Sequence, residues 1–128
     1  PTVLEVAFRP THKLPRFRGG QFVAVETPSG EKRVYSFARG PAQAEKEGIV
    51  LCVRYQQGGV ASEYLKNLTE GAQATLYGPY GDFVIEPSRD PQSHRALCLI
   101  STGTGIAPLL AMVQELYENR RLPAQVLN

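Results

Sequence analysis

Glycine and proline cut the first two-thirds of this chain into short apolar runs, and a chain so punctuated has few choices besides antiparallel β-structure. Residues 3–8 alternate apolar with other side chains, as a strand with one buried face requires, and Pro10 and Pro15 interrupt the run. Phe17-Arg18-Gly19-Gly20 reads as a turn. Residues 21–27 form a second expected strand, closed by Pro28-Ser29-Gly30, and residues 32–38 a third at hairpin spacing. Gly40-Pro41 and residues 42–48 read as an exposed connection. Residues 49–55, 73–77 and 82–86 supply the fourth, fifth and sixth strands. Gly78-Pro79-Tyr80-Gly81-Asp82-Phe83 is expected as a tight turn between the last two. Periodicity alone leaves barrel and sandwich both open.

The third strand carries Arg33-Val34-Tyr35-Ser36. Strand side chains alternate, so Arg33 and Tyr35 share one face and Val34 and Ser36 the other. A guanidinium offers planar paired donors that suit phosphate oxygens, and a tyrosine ring offers a flat surface to a flat ligand. The pair therefore suggests a molecule with both a phosphate and an aromatic ring. A solvated arginine packed on a tyrosine is the competing reading.

Between the fourth and fifth strands a helix is expected over residues 59–68, with Val60, Tyr64, Leu65 and Leu68 near one face and Gly71 ending it. Ser62 suits a cap or first-turn position, and Glu63 an early turn. Free N–H groups at such a start attract anions, and Gly58-Gly59 lets a phosphate approach the backbone. The alternative is a plain loop and capped helix. Beside Arg33, the phosphate reading is preferred because the two groups can share one diphosphate.

The chain then changes character. Residues 86–94 are polar with two prolines and read as a linker, with His94, like His12, a solvated loop residue. Residues 96–100 are continuously apolar, as in a buried parallel strand. Gly103-Thr104-Gly105-Ile106-Ala107-Pro108 turns the chain into a helix whose first turn accommodates Pro108. Leu109, Met112, Val113 and Leu116 recur at helical spacing, Arg120 and Arg121 suit the helix end, Pro123 stops it, and residues 124–127 read as a further strand. Strand, glycine-rich turn and helix resemble the opening of a dinucleotide-binding unit.

A chain of 128 residues with 42% hydrophobic and 20% charged side chains is long enough for a domain with its own core. A net charge of +2 points to neither nucleic acid nor an acidic partner. Cys52 and Cys98 both lie in apolar runs and read as buried free thiols. Without a C-x-x-C, no iron–sulfur or zinc site is expected from this chain. No apolar run approaches a membrane span and no signal peptide is recognised, so a reducing, cytoplasmic setting is expected.

Taken in order, R-V-Y-S (33–36), G-V-A-S (59–62) and G-T-G-I-A-P (103–108) resemble the ferredoxin–NADP reductase family of flavoenzymes, over almost the whole chain. The resemblance implies a six-stranded antiparallel Greek-key barrel with one helix over residues 1–93, binding FAD. It implies a truncated β–α–β fragment of a Rossmann-like NAD(P)-binding domain over 94–128. Arg33 would pair with the flavin pyrophosphate, Tyr35 stack on the isoalloxazine and Ser36 lie near the hydride-accepting nitrogen, with Val34 completing the motif. Cys52, Val53 and Arg54 match a second flavin-contacting strand, and Gly59, Val60, Ala61 and Ser62 a pyrophosphate-binding helix start. Tyr55 is expected either beside the adenine or as a packed barrel tyrosine. Gly103, Thr104 and Gly105 would lie beneath the nicotinamide, with Thr104 near the flavin.

The resemblance also implies an activity: NAD(P)H reduces FAD, which passes electrons to an iron–sulfur or haem acceptor on another domain or protein. Two alternatives stand beside it: a flavin-holding electron-transfer subunit without nicotinamide reactivity, and a barrel used only for protein contacts. The family's nucleotide domain normally continues for several more strands. A lone β–α–β piece leaves an apolar face to pack on the barrel, on a second copy or on a missing fragment.

Overall fold

A computed structural model describes residues 2–86 and 96–119. The expectations for the linker at 87–94 with His94, the boundary at 93 and 94, Arg120, Arg121, Pro123 and a strand at 124–127 lie outside these residues. The described chain is mainly β, with few helices.

The alternation of the first run builds β1 (Val3–Phe8), whose Leu4, Val6 and Phe8 pack towards the core while Val3, Glu5 and Ala7 face out. β1 pairs antiparallel with β4 (Ile49–Arg54), setting Leu4 opposite Val53, Val6 opposite Leu51 and Phe8 opposite Ile49. Three apolar pairs thus fall on one face. A register slip of one residue would turn them all to solvent. β2 (Phe22–Glu26) pairs with β3 (Lys32–Ser36) as a hairpin. Its turn is closed by Gly30 N–H donating to the Thr27 carbonyl at 2.9 Å and by Thr27 N–H donating to the Glu31 carbonyl at 2.8 Å. Gly30 takes φ +83°, a left-handed conformation that glycine adopts without a Cβ clash. On its other side β2 pairs with β5 (Thr75–Tyr80), with a register irregularity between Phe22 and Ala24.

The result is two small sheets, β1–β4 and β3–β2–β5. An isolated bridge from Phe37 to Leu51 joins them, reinforced by Ala38 N–H donating to the Val50 carbonyl at 2.9 Å. Phe17 stacks on Phe37 beneath this junction, and Val25, Leu51 and Val53 are wholly buried around it. Burying side chains of this size contributes about 1.5–3 kcal/mol each.

Among the described residues the sheets do not close into the six-stranded barrel that was expected. A groove remains between β1 and β5, lined by Leu4, Val6, Leu14, Leu68 and Leu76. The expected sixth strand at residues 82–86 carries no ladder; side chains take the carbonyl of Ile85 within it and that of Gly81 just before it. Arg18 Nη2 donates to the Ile85 carbonyl at 2.7 Å, and Gln21 Nε2 to the Gly81 carbonyl at 2.9 Å. The expected tight turn at 78–83 is corrected too. β5 runs on through Gly78, Pro79 and Tyr80, and the chain bends only at Gly81, at φ +101°.

The helices bring two further corrections. Residues 42–48 are not merely a connection: α1 (Pro41–Glu47) forms there, with Pro41 in its first turn and Ala44 buried. Alanine, glutamine, glutamate and lysine all favour helix, and Ala44 against the core supplies the tertiary anchor. α2 (Val60–Lys66) lies inside the expected span. α3 (Ile106–Glu118) follows a 3-10 turn at Gly103–Gly105 as expected, and buries Ala107, Ala111, Met112 and Glu115. Residues 96–100 carry no strand, and Ile100 is 85% exposed. A buried parallel strand needs sheet neighbours on both edges, and no described strand pairs with this run. For the same reason Cys98 is an exposed free thiol rather than a buried one.

Candidate functional site

β3 displays its motif as strand alternation demands. Tyr35 lies opposite Val23 and Arg33 opposite Val25, so both share the side of two core valines. Tyr35 is half-buried against the core. Burial pushes its phenol pKa up, and the positive charge of Arg33 pulls it partly back, which places the guanidinium within electrostatic reach of the ring. Arg33 itself is 58% exposed as a side chain; it pairs with Glu31 at 2.8 Å and donates to the Lys32 carbonyl at 3.0 Å. Val34 is exposed on the opposite face, and Ser36 is half-buried beside Phe22.

β4 lies next to β3 across the Phe37–Leu51 bridge. Cys52 and Arg54 point outward, whereas Val53 is 0% exposed and faces the core. With its side chain in the core, Val53 can offer a ligand only its backbone. Burial first, and then the charge of its strand partner Glu5, push the Cys52 thiol up. Cys52 is thus a half-buried free thiol rather than the buried one expected, and a raised thiol pKa makes it a poor nucleophile.

Past Arg54 the chain runs into the start of α2 through a small polar clamp. Tyr55 donates its hydroxyl proton to Glu63 Oε1 at 2.6 Å, and the Gly58 N–H reaches the same oxygen at 3.2 Å. The Lys66 ammonium sits 4.2 Å over the Tyr55 ring. The Glu63 hydrogen bond raises the Tyr55 pKa, and the Tyr55 and Gly58 donors lower that of Glu63. Tyr55 is thus tied to α2 at the strand end and partly exposed. The buried Ser62 hydroxyl accepts from Gln56 N–H at 3.2 Å and donates to the Gln56 carbonyl at 2.9 Å, so it braces the loop.

The first amides of α2, on Val60, Ala61 and Ser62, receive no side-chain cap. Amides at this position have no partner within a helix, so they remain available as donors. Gly58, at φ +75°, has nothing within 4 Å of where a Cβ would stand, so the approach is open. Gly59 is crowded, since a Cβ there would stand 2.8 Å from the Ser62 hydroxyl. These features suit a diphosphate: unsatisfied donors, an open glycine and, on β3, an exposed guanidinium. Arg33 does not itself touch α2; its partners are Glu31 and Lys32.

The third motif reaches β4 as well. The Gly103–Gly105 turn contacts this strand, with Gly103 at φ +55° facing open space and Thr104 half-buried. β4 thus neighbours both β3 and the Gly103–Gly105 turn, and the chain leaving it runs on into α2.

Residues 3–85 match the oxidoreductase FAD-binding domain family. The chain belongs to that family. It is 38% identical over 118 residues to ferredoxin–NADP reductase B of Sorangium cellulosum, covering 89% of this chain and 46% of the relative. It is also 38% identical over 109 residues to a flavohemoprotein of Deinococcus radiodurans, covering 80% of this chain and 25% of the relative. In structure it resembles the Amycolatopsis cytochrome P450 reductase GcoB, with a TM-score of 0.72 and 30% identity over 92% of this chain and 35% of that one. Phthalate dioxygenase reductase, which transfers electrons from pyridine nucleotides to a [2Fe-2S] centre, matches with a TM-score of 0.68 and 25% identity, over 91% of this chain and 35% of that one. The chain spans between a quarter and a half of these relatives' lengths.

Sequence reasoning missed one constellation. Arg18, Gly19, Gly20 and Gly40 on the β-sheet side meet Met112, Gln114, Glu115 and Glu118 of α3. The signal was present in Glu115, a carboxylate on the face that also carries Ala111 and Met112, and in the Gly19-Gly20 pair, read only as a turn. Among the described residues no group of three histidine, cysteine or acidic side chains could hold a metal, and no helix is long and apolar enough to cross a membrane.

Proposed function

We propose that this chain is the flavin-holding portion of a reductase in which NAD(P)H reduces FAD and the electrons leave for an iron–sulfur or haem acceptor on another domain or protein. FAD, when bound, supplies the conversion of a two-electron hydride donor into one-electron transfers. The chain's own residues bind and orient. Arg33 exchanges its exposed Glu31 partner for phosphate oxygens, and the amides of Val60, Ala61 and Ser62 donate to the same diphosphate, with Gly59 turning the chain into them. Tyr35 presents its ring, held in place by the core behind it, and Val34 and Ser36 border the ring's edge. Cys52, Arg54 and the Val53 backbone form the β4 wall, and Tyr55 lies towards the adenosine end. Gly103 and Gly105 leave room for the nicotinamide, and Thr104 aligns it.

The finer architecture belongs to the same proposal. The two sheets form most of a six-stranded Greek-key barrel over residues 1–93, and residues 94–128 open an NAD(P)-binding unit. The protein acts in the cytoplasm, and the apolar face of that second unit packs on a further segment or on a second copy.

The observation that carries this reading is that β4 lies beside both the Arg33–Tyr35 strand and the Gly103–Gly105 turn and leads into the uncapped start of α2. A second reading is favoured by the exposure of residues 96–100: a flavin-binding electron-transfer subunit without nicotinamide reactivity of its own. The visible spectrum of the purified chain with added FAD, before and after anaerobic NADH or NADPH, tests both. Flavin uptake followed by bleaching supports the reductase. Uptake without bleaching supports the subunit. A colourless protein that takes up no flavin removes both.

A further inference from the structure

Glu115 is a carboxylate only 8% exposed, and it lies on the α3 face that also buries Ala111 and Met112. Both of its oxygens are used. Arg18 Nε donates to Oε1 at 2.6 Å and the Gly19 N–H to Oε2 at 3.0 Å. Arg18 then commits a second donor to the Ile85 carbonyl at 2.7 Å. One guanidinium therefore fastens both the segment after β5 and the helix that follows. The joint is also sterically tight. A Cβ on Gly19 would stand 2.6 Å from the Met112 backbone, and one on Gly20 2.4 Å from the Met112 methyl carbon. A second fastening lies nearby, where Gly40 N–H donates to Gln114 Oε1 at 2.6 Å and the Ala42 and Gln43 amides reach Glu118 at 3.2 Å.

The other end of this 13-residue helix is the Gly103–Gly105 turn, which touches β4. Glu115 stands roughly 16 Å along the axis from Thr104 at 1.5 Å per residue. A tilt of about 10° at the fastening would therefore carry the turn about 3 Å from its place, and a misplacement of about 1 Å can cost a reaction 100-fold.

We propose that Glu115 is a positioning residue: by clasping Arg18 and Gly19 it sets how far the Thr104 turn stands from the β-wall, and hence the nicotinamide from the flavin. The role in hydride transfer rests on the reductase reading above; the role in placing the turn does not. Among the described residues, the hydrogen bonds of Arg18 and of the Glu115 carboxylate go to Gln21, Ile85, Gly19 and each other, and none to a residue assigned to the cofactor.

The test uses the full 128-residue chain loaded with FAD, as wild type, Glu115→Gln, Arg18→Lys, and the two substitutions combined. Amide exchange followed by mass spectrometry is expected to quicken at least about tenfold across residues 103–118 and to stay at wild-type rates in β2, β3 and β4, with FAD affinity within about twofold. The double variant should be no worse than the poorer single one, since both act through one contact. Where nucleotide bleaches the wild-type flavin, the limiting rate in Glu115→Gln should fall about tenfold or more while the apparent nucleotide affinity shifts less than about threefold. Unchanged exchange in 103–118, exchange that quickens equally through the sheets, or additive single effects would each overturn the proposal. If Glu115→Gln does not fold, Arg18→Lys, which keeps the charge and loses the fork, is judged by the same criteria. A wild-type chain bleached by neither nucleotide removes the reductase reading, and the exchange measurement still decides whether Glu115 places the turn.

Discussion

Phe37 pairs with Leu51 across an isolated antiparallel bridge, and this pairing sets the strand bearing Arg33 and Tyr35 beside the strand that leads into α2. Leu51 is wholly buried, so the junction of the two sheets is also the centre of the core. Replacing Leu51 with alanine removes buried methyl groups and leaves a cavity at that junction. The expected loss is about 2–5 kcal/mol of unfolding free energy in urea titrations. A loss near zero would mean that the bridge does not organise the core.

Arg33→Ala should weaken FAD binding by about 1.5–3 kcal/mol, the range for a hydrogen bond to a charged group. The apo chain should melt at an unchanged temperature, because the Arg33–Glu31 pair is exposed and such pairs add little. Flavin fluorescence titration and a thermal scan measure the two effects. Equal FAD affinity in variant and wild type would remove Arg33 from the site.

The Tyr55–Glu63 clamp predicts a pH dependence. The Glu63 carboxyl is held below its ordinary pKa, so its contribution is present above the unfolded-state value and is lost as pH falls through the folded one. The Tyr55 phenol is raised, so its contribution is present below the unfolded-state value and is lost as pH rises through the folded one. The melting-temperature difference between wild type and Tyr55→Phe should therefore be largest near neutrality and shrink towards both acid and strong alkali. A difference independent of pH would show that the clamp does not form in solution.

Two glycines should respond to alanine in different places. At Gly19 the new Cβ would meet the Met112 backbone at 2.6 Å, so α3 must shift, at about 1–3 kcal/mol for overpacking. At Gly58 nothing lies within 4 Å, and the cost is the left-handed conformation alone, roughly 1–2 kcal/mol. Amide exchange separates them: Gly19→Ala should loosen residues 103–118, while Gly58→Ala should leave that stretch unchanged. Loosening of α3 by both would refute the specific contact at Gly19.

Local pattern by itself determined a good deal. The alternation in residues 3–8, the apolar run at 49–54, the hairpin around Gly30 and the helix after Gly105 each follow from short-range rules that need no partner. The proposal of Arg33, Tyr35 and the α2 start as a ligand-bearing set rests on local chemistry too, because a fork, a ring and unsatisfied amides keep their chemistry in any fold; the FAD titration tests it. Tertiary structure decided the rest. Residues 82–86 join no ladder, with Arg18 holding the Ile85 carbonyl and Gln21 that of Gly81 beside them, and whether residues 96–100 become a strand depended on sheet neighbours. The Glu115–Arg18 clasp joins residues 97 positions apart, and no periodicity carries that information. A carboxylate on a helix face reads as a solvated charge until the strand turn that buries it is in place.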